Sequence, residues 1–251
     1  MQPVDWPTGV PIKLQRQGYS REPQDVVRRR KVDAGPPLRE LLDGSVSQRV
    51  RGVLSLSPAE ADLFEAFRTD TLDRGLGRFY WTVTDNGAAV TARLAAQPKL
   101  SRTRTRRRYE LDLHCEAPAP SGAALTALAA LEDAGPASWP GTVPFHPLRT
   151  GFAVEPDDQV LRSAEDGPQV QALKSRAEGR TLPVQLNLSP AELAAFEAWF
   201  ASEAGFGVRD VRFPDLAGGT HLGCFGGSYT IQPATTLRWA VSFPIYLEAI
   251  A

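Results

Sequence analysis

The sequence predicts a mainly β or α+β protein made of two homologous β-sandwich or small-barrel domains, each with one packed α-helix. Three observations predict it. The chain repeats itself end to end, its apolar residues alternate over short stretches bounded by Gly and Pro, and each copy has a single strongly capped helix start. The repeat is read directly: Trp6-Pro7-Thr8-Gly9-Val10-Pro11 returns as Trp139-Pro140-Gly141-Thr142-Val143-Pro144. Gly18-Tyr19 returns as Gly151-Phe152, and Gly35-Pro36 as Gly167-Pro168. Leu56-Ser57-Pro58-Ala59-Glu60 returns as Leu188-Ser189-Pro190-Ala191-Glu192, and the closing Glu116-Ala117 as Glu248-Ala249. From the Trp-Pro pair through the helix the offset stays at 132 or 133, so a whole domain is duplicated. The expected organisation is a first repeat at 1–117, a linker at 118–138 and a second repeat at 139–251.

Each element follows from local chemistry. Pro7, Pro11 and Pro23, like Pro140, Pro144, Pro147 and Pro156, exclude a long helix at the start of either copy. Short strands are expected at 24–31 and 159–162, each followed by a Gly-Pro break. Apolar alternation then marks a strand through Val46, Val50, Val53, Leu54 and Leu56, and again through Leu182, Val184, Leu186 and Leu188. Ser57 with Pro58 and Glu60, and Ser189 with Pro190 and Glu192, are N-cap, first-turn proline and capping-box glutamate. Leu63, Phe64 and Phe67 are expected to face the core, as are Leu193, Phe196, Trp199 and Phe200, with Gly75 and Gly205 ending the helices. Strands are then expected at 78–84, 90–95 and 107–115, and at 208–213, 227–231 and 237–248. In the linker, Ala123–Leu131 has the composition of one or two helical turns between Pro and Gly residues.

Composition narrows the class. With 42% hydrophobic and 23% charged residues the chain of 251 is that of an ordinary globular protein. No run of 18 apolar residues predicts a transmembrane helix, and Met1–Trp6 lacks the basic and apolar regions of a signal peptide. Residues 1–117 carry twenty basic against fifteen acidic side chains, and 118–251 eight against fourteen, so the halves are +5 and −6. Such a two-ended charge favours stacking on different neighbours or on copies of itself. Cys115 and Cys224 form no CxxC pair and are expected as reduced thiols.

No catalytic set is evident. The sequence lacks GxSxG, HExxH, P-loop and GxGxxG patterns. His114, His146, His221 and the two cysteines do not share ligand spacing, so no metal and no cofactor is expected. Glu60 and Glu192 are explained as helix caps, and the paired glycines at 218–219 and 226–227 as turns. An enzyme is therefore not expected. The sharper feature is basic: Arg28, Arg29, Arg30 and Lys31, and then Arg102, Arg104, Arg106 and Arg108 beside Arg107. On an alternating strand the last four would share one face, and a line of like charge calls for an acidic partner or a phosphate backbone. These eight residues are the expected interface. Ser57, Glu60, Phe64, Phe67, Ser189, Glu192, Phe196 and Trp199 are the expected caps and helix core.

The unit of Trp-Pro, Gly-aromatic, Gly-Pro, Ser-Pro-Ala-Glu with Phe and Trp on the helix, and a final strand ending Leu247-Glu248, resembles a small domain found among tail proteins of long-tailed bacteriophages. The first copy departs from it with Phe67 for the helix Trp and Cys115-Glu116 for Leu-Glu. The resemblance implies a tail-tube-like β-sandwich and a virion structural protein, in the tail and assembled in the host cytoplasm. It implies a ring in the distal tail, baseplate or tail-tip region, as a trimer forming a pseudo-hexamer or as a hexamer. Partners would be tube, tape-measure, hub and fibre proteins, with DNA only as channel content and no membrane. The alternatives are a head-to-tail connector, a tail terminator, or a DNA-binding adaptor that uses the basic run.

Overall fold

The computed structural model describes residues 2–24, 27–30, 38–41, 47–85, 87–103, 105–116, 135–147, 155–156, 160–162, 171–173, 180–214 and 219–247. The fold is mainly β. Among the described residues are seventeen strands and two α-helices, one per repeat. The chain divides into two compact units: Met1–Gln24, Ser45–Ala119 and Thr230–Ala240 form the first, and Asp25–Gly44, Pro120–Tyr229 and Val241–Ala251 the second.

In the first unit the strands β1 (Gln15–Pro23), β4 (Gln48–Leu56), β5 (Phe79–Thr82), β6 (Ala89–Leu94), β7 (Lys99–Arg102), β8 (Arg107–Glu116) and β16 (Thr230–Pro233) are all antiparallel. Their order is β5-β6-β8-β4-β1-β16, with β7 on β8 beside β6. The register of β4 on β8 sets Val50 opposite Leu113, Gly52 opposite Leu111 and Leu54 opposite Tyr109, all buried. A slip of one residue would send that row to solvent, so burial fixes the register. Gly52 lets Leu14 pack close, because a Cβ there would stand 2.9 Å from Leu14 Cδ1 and 3.1 Å from its Cβ. Helix α1 (Pro58–Ala66) turns Ala61 and Phe64 inward. Trp6 is the hub, its ring 4.8 Å from Trp81, 5.4 Å from Phe79, 5.5 Å from Phe67 and 5.8 Å from Phe64. Burial of aromatic side chains such as these contributes roughly 1.5–3 kcal/mol each.

The second unit repeats the plan. Strands β9 (Ala137–Ser138), β10 (Glu155–Pro156), β13 (Arg180–Leu188), β14 (Val211–Pro214), β15 (Thr220–Phe225) and β17 (Trp239–Leu247) run in the order β10-β13-β17-β15-β14-β9. These are the counterparts of β1-β4-β8-β6-β5 and the segment at Val4. Glu22 pairs with Arg49 and Pro23 with Gln48; at the same offset Glu155 pairs with Thr181 and Pro156 with Arg180. Val4 N–H donates to the Arg78 carbonyl (3.0 Å), and Ala137 N–H to the Asp210 carbonyl (2.8 Å). The Trp6 indole N–H donates to the Val10 carbonyl at 3.0 Å, and that of Trp139 to Val143 at 2.7 Å, each closing the same Pro-containing turn. Helix α2 (Pro190–Ser202) buries Leu193, Phe196, Trp199 and Phe200. Two short hairpins complete this unit: β2 (Val27–Arg30) with β3 (Leu38–Leu41), and β11 (Val160–Arg162) with β12 (Gln171–Leu173).

After each helix the chain passes through three consecutive left-handed residues. These are Asp73, Arg74 and Gly75 at φ 45°, 59° and 96°, and Gly205, Phe206 and Gly207 at φ 55°, 57° and 85°. Left-handed backbone costs a non-glycine residue about 1–2 kcal/mol. The strained turn is thus part of the duplicated unit, and it reverses the chain into β5 or β14. Gly75 and Gly205, expected as helix terminators, both lie in these turns.

Several expectations need correction. The compact units differ in their bounds from the repeats at 1–117 and 139–251, since Asp25–Gly44 falls in the second unit and Thr230–Ala240 in the first. Ala137–Ser138, expected in the linker, is strand β9, while 118–134 with Ala123–Leu131 lies outside the described residues. Leu63 is 49% exposed, and Ala61 takes the inner position on α1 instead. Residue 63 lies about 100° round the helix from Phe64, so with Ala61 and Phe64 turned inward it falls outside the buried stripe. Strand β15, for which no strand was expected, runs between the two glycine pairs expected as turns.

Candidate assembly interface

The Arg102–Arg108 run does not lie on one strand. The chain reverses between β7 and β8, where Thr103 N–H donates to the Arg106 carbonyl at 2.8 Å. Arg102 is paired with Arg107 and Ser101 with Arg108, so Arg102 and Arg108 belong to opposite faces of a hairpin. The expected single basic face is therefore replaced by a basic hairpin end. The physical reason is the turn, which doubles back the alternation that a straight strand would have kept. Its base is fixed: the Arg107 guanidinium meets Asp62 of α1 at 2.7 Å, and Arg106 donates to the Ser55 carbonyl at 3.3 Å. Pairing with Asp62 raises the already high pKa of Arg107 further. Lys99, Leu100, Ser101 and Arg102 are all exposed, and β8 is the single strand paired with β7 among the described residues. Arg104 lies outside the described residues.

The first basic run has a different fate. Arg28 stands opposite Glu40, and Arg29 opposite Arg39, across β2 and β3. Arg29 Nε donates to the Phe225 carbonyl at 3.2 Å, and Arg39 forms an ion pair with Asp210. The two arginines share one hairpin face and anchor β2–β3 to strand β15 and the residue before β14, within the second unit. Arg29 is thus an internal fastening. Arg30 lies in β2, and Lys31 lies outside the described residues.

The cap residues perform as expected. Ser57 N–H donates to Glu60 Oε2 at 2.6 Å and Glu60 N–H to Ser57 Oγ at 3.4 Å; Ser189 and Glu192 repeat this at 2.7 and 3.3 Å. Those bonds hold the Glu60 carboxyl below its usual range. Phe64, Phe67, Phe196 and Trp199 are all buried, and the Trp199 indole donates to the Ser138 carbonyl at 3.0 Å. These residues make the scaffold rather than a site.

Two features escaped the sequence reading. First, β16 of the second repeat completes the first unit: Ile231 pairs with Arg21 of β1, Arg16 donates to the Thr236 carbonyl, and its guanidinium lies 4.2 Å from the Trp239 ring centroid. Second, a polar cluster sits in the core of that unit. Asp85 accepts from the Tyr19 hydroxyl at 2.6 Å and from Arg21 Nε at 2.8 Å, and Arg21 also donates to Gln48 Oε1 at 3.1 Å. The Arg21 and Asp85 side chains are 1% and 0% exposed. Burial, then the Asp85 charge, pushes the Tyr19 phenol far above its ordinary range. No sequence spacing links residues 19, 21 and 85; only the sheet brings them together.

Among the described residues, no group of three or more His, Cys, Asp or Glu side chains is placed to hold a metal ion. Nor is any helix among them long and apolar enough to cross a membrane. Comparison with protein-family models and with curated proteins found no match to this sequence.

Proposed function

We propose that the chain is a structural virion protein of a phage tail, a ring-forming component of the distal tail, baseplate or tail-tip region. One observation carries the reading. The same strand order occurs twice in one polypeptide, and a hairpin of the second repeat completes the sheet of the first. A fold that finishes its sheet with a strand from its homologue has a built-in way to add further homologues, and such head-to-tail contacts form rings where the rotation between copies closes. The opposite charges of the two halves, +5 and −6, favour that order of addition. Three chains would present six similar domains, the arrangement needed between six-fold and three-fold parts of a tail. Tube, tape-measure, hub and fibre proteins are the proposed neighbours, and the virion tail the proposed location. Native mass spectrometry with negative-stain class averages tests the proposal. A three-fold ring of six lobes, or a six-fold ring, is the expected result; a chain that stays monomeric at high concentration, alone and with tail proteins, overturns it.

The exposed Arg102 and Arg108 at the hairpin end favour one second reading, a head-to-tail connector or DNA-binding adaptor. It predicts duplex DNA binding whose affinity falls steeply with salt, with a log–log slope of about −0.9 per neutralised phosphate.

A further inference from the structure

We infer that the exposed edge of β7 docks on the outer edge of β10 in a second copy of this chain. The inference rests on the assembly reading above and names its contact. The template is internal. Strand β16 is the counterpart of β7 at an offset near 132, and β16 pairs antiparallel with β1 through Ile231 and Arg21. Strand β10 is the counterpart of the end of β1, held on β13 in the register by which β1 is held on β4. The second repeat's hairpin has thus found its acceptor within the chain. Among the described residues the same acceptor type is open to the first repeat's hairpin in β10, whose single strand partner there is β13. Unpaired backbone N–H and C=O groups on two such edges are a template for strand addition.

The residue types fit this difference in use. Ile231, in the permanent contact, is fully buried. Its counterpart Lys99 is exposed, as is Arg102. A lysine on an open edge keeps the free chain from pairing indiscriminately. It also favours a partner of opposite sign, and residues 118–251, which contain β10, are net −6. The hairpin is pre-organised for the contact, since Arg107–Asp62 and Arg106–Ser55 fix its base before any partner arrives. Carried over from the internal pairing, the register sets Pro98 opposite Glu155.

Cysteine cross-linking of the full chain tests this. Pro98→Cys and Glu155→Cys are made as separate variants, mixed and oxidised; the native Cys115 and Cys224 are buried. Leu76→Cys, 81% exposed at another site, serves as the collision control. The expected result is a covalent dimer in the Pro98→Cys and Glu155→Cys mixture that exceeds, by at least roughly tenfold, the yield from either variant alone or from Leu76→Cys with Glu155→Cys. Rings that assemble without this cross-link overturn the β7–β10 contact and leave the assembly reading standing. A chain that neither assembles nor cross-links removes both. As a second arm, Lys99→Glu with Arg102→Glu is expected to raise the concentration needed for assembly by about tenfold while the folded spectrum is retained. Unchanged assembly in that variant also counts against the contact.

Discussion

Replacing Asp85 by alanine tests the polar centre of the first unit. Asp85 is the common acceptor for Tyr19 and Arg21, and the Arg21 side chain is 1% exposed. Removing the carboxylate takes from a buried guanidinium the charge it meets at 2.8 Å, and from a buried phenol the acceptor it meets at 2.6 Å. Losing one partner of a buried ion pair costs about 3–5 kcal/mol. For a chain of this size that is a fall in thermal midpoint of roughly 6–20 °C. The second repeat supplies the control. At the aligned positions it carries Phe152, Val154 and Ala217 in place of Tyr19, Arg21 and Asp85. The triple variant Tyr19→Phe, Arg21→Val, Asp85→Ala removes the whole cluster, so no charge is left stranded. It is expected to regain most of the loss and fall within about 2 kcal/mol of the parent chain. Urea unfolding at pH 7, followed by tryptophan fluorescence, gives both values. A loss below about 1 kcal/mol for Asp85→Ala, or a triple variant as unstable as the single one, would refute the argument that stranded charge dominates.

The remaining predictions concern the caps, the strained turn and the titrating groups. Ser57→Ala and Ser189→Ala should each cost about 0.5–2 kcal/mol in urea unfolding, because each removes one half of a complete capping box. Arg74→Gly should stabilise by about 1 kcal/mol, since Arg74 holds φ 59° and its hydrogen bond to Gln97 uses the backbone carbonyl, which glycine keeps. Burial pushes the Cys115 thiol up to about 12, so Ellman's reagent at pH 8 should leave it unmodified in the folded chain and label it once urea unfolds the protein. Tyr19 has its folded pKa raised, so its contribution is fully present below the unfolded value near 10 and is lost as pH rises above it; Tyr19→Phe should flatten that alkaline limb. Asp112 is held below its ordinary range, first by its hydrogen bonds from Arg49. Its contribution is present above the unfolded pKa and is lost as pH falls through the lowered one, and Asp112→Asn should shrink the acid loss.

The sequence by itself determined the duplication, the mainly β class and the local signals. Ser-Pro-x-Glu caps a helix wherever it sits, because the bonds it makes span three residues. Alternation along β4, β8 and β13 was legible for the same reason: period-two burial is a local consequence of one wet and one dry sheet face. Tertiary structure decided what depends on distant pairing. Leu14 packs close on Gly52, Asp85 is placed by β1, and the Arg102–Arg108 run is split between two faces by a turn that its residue types do not announce. The exchange of Asp25–Gly44 and Thr230–Ala240 between units was equally hidden. Two homologous repeats present sheet edges in the same strand order, and local alternation does not say which edge a hairpin takes. That choice is made by register and by contacts such as Arg29 with the Phe225 carbonyl and Arg16 with Trp239, which exist only after the chain has folded.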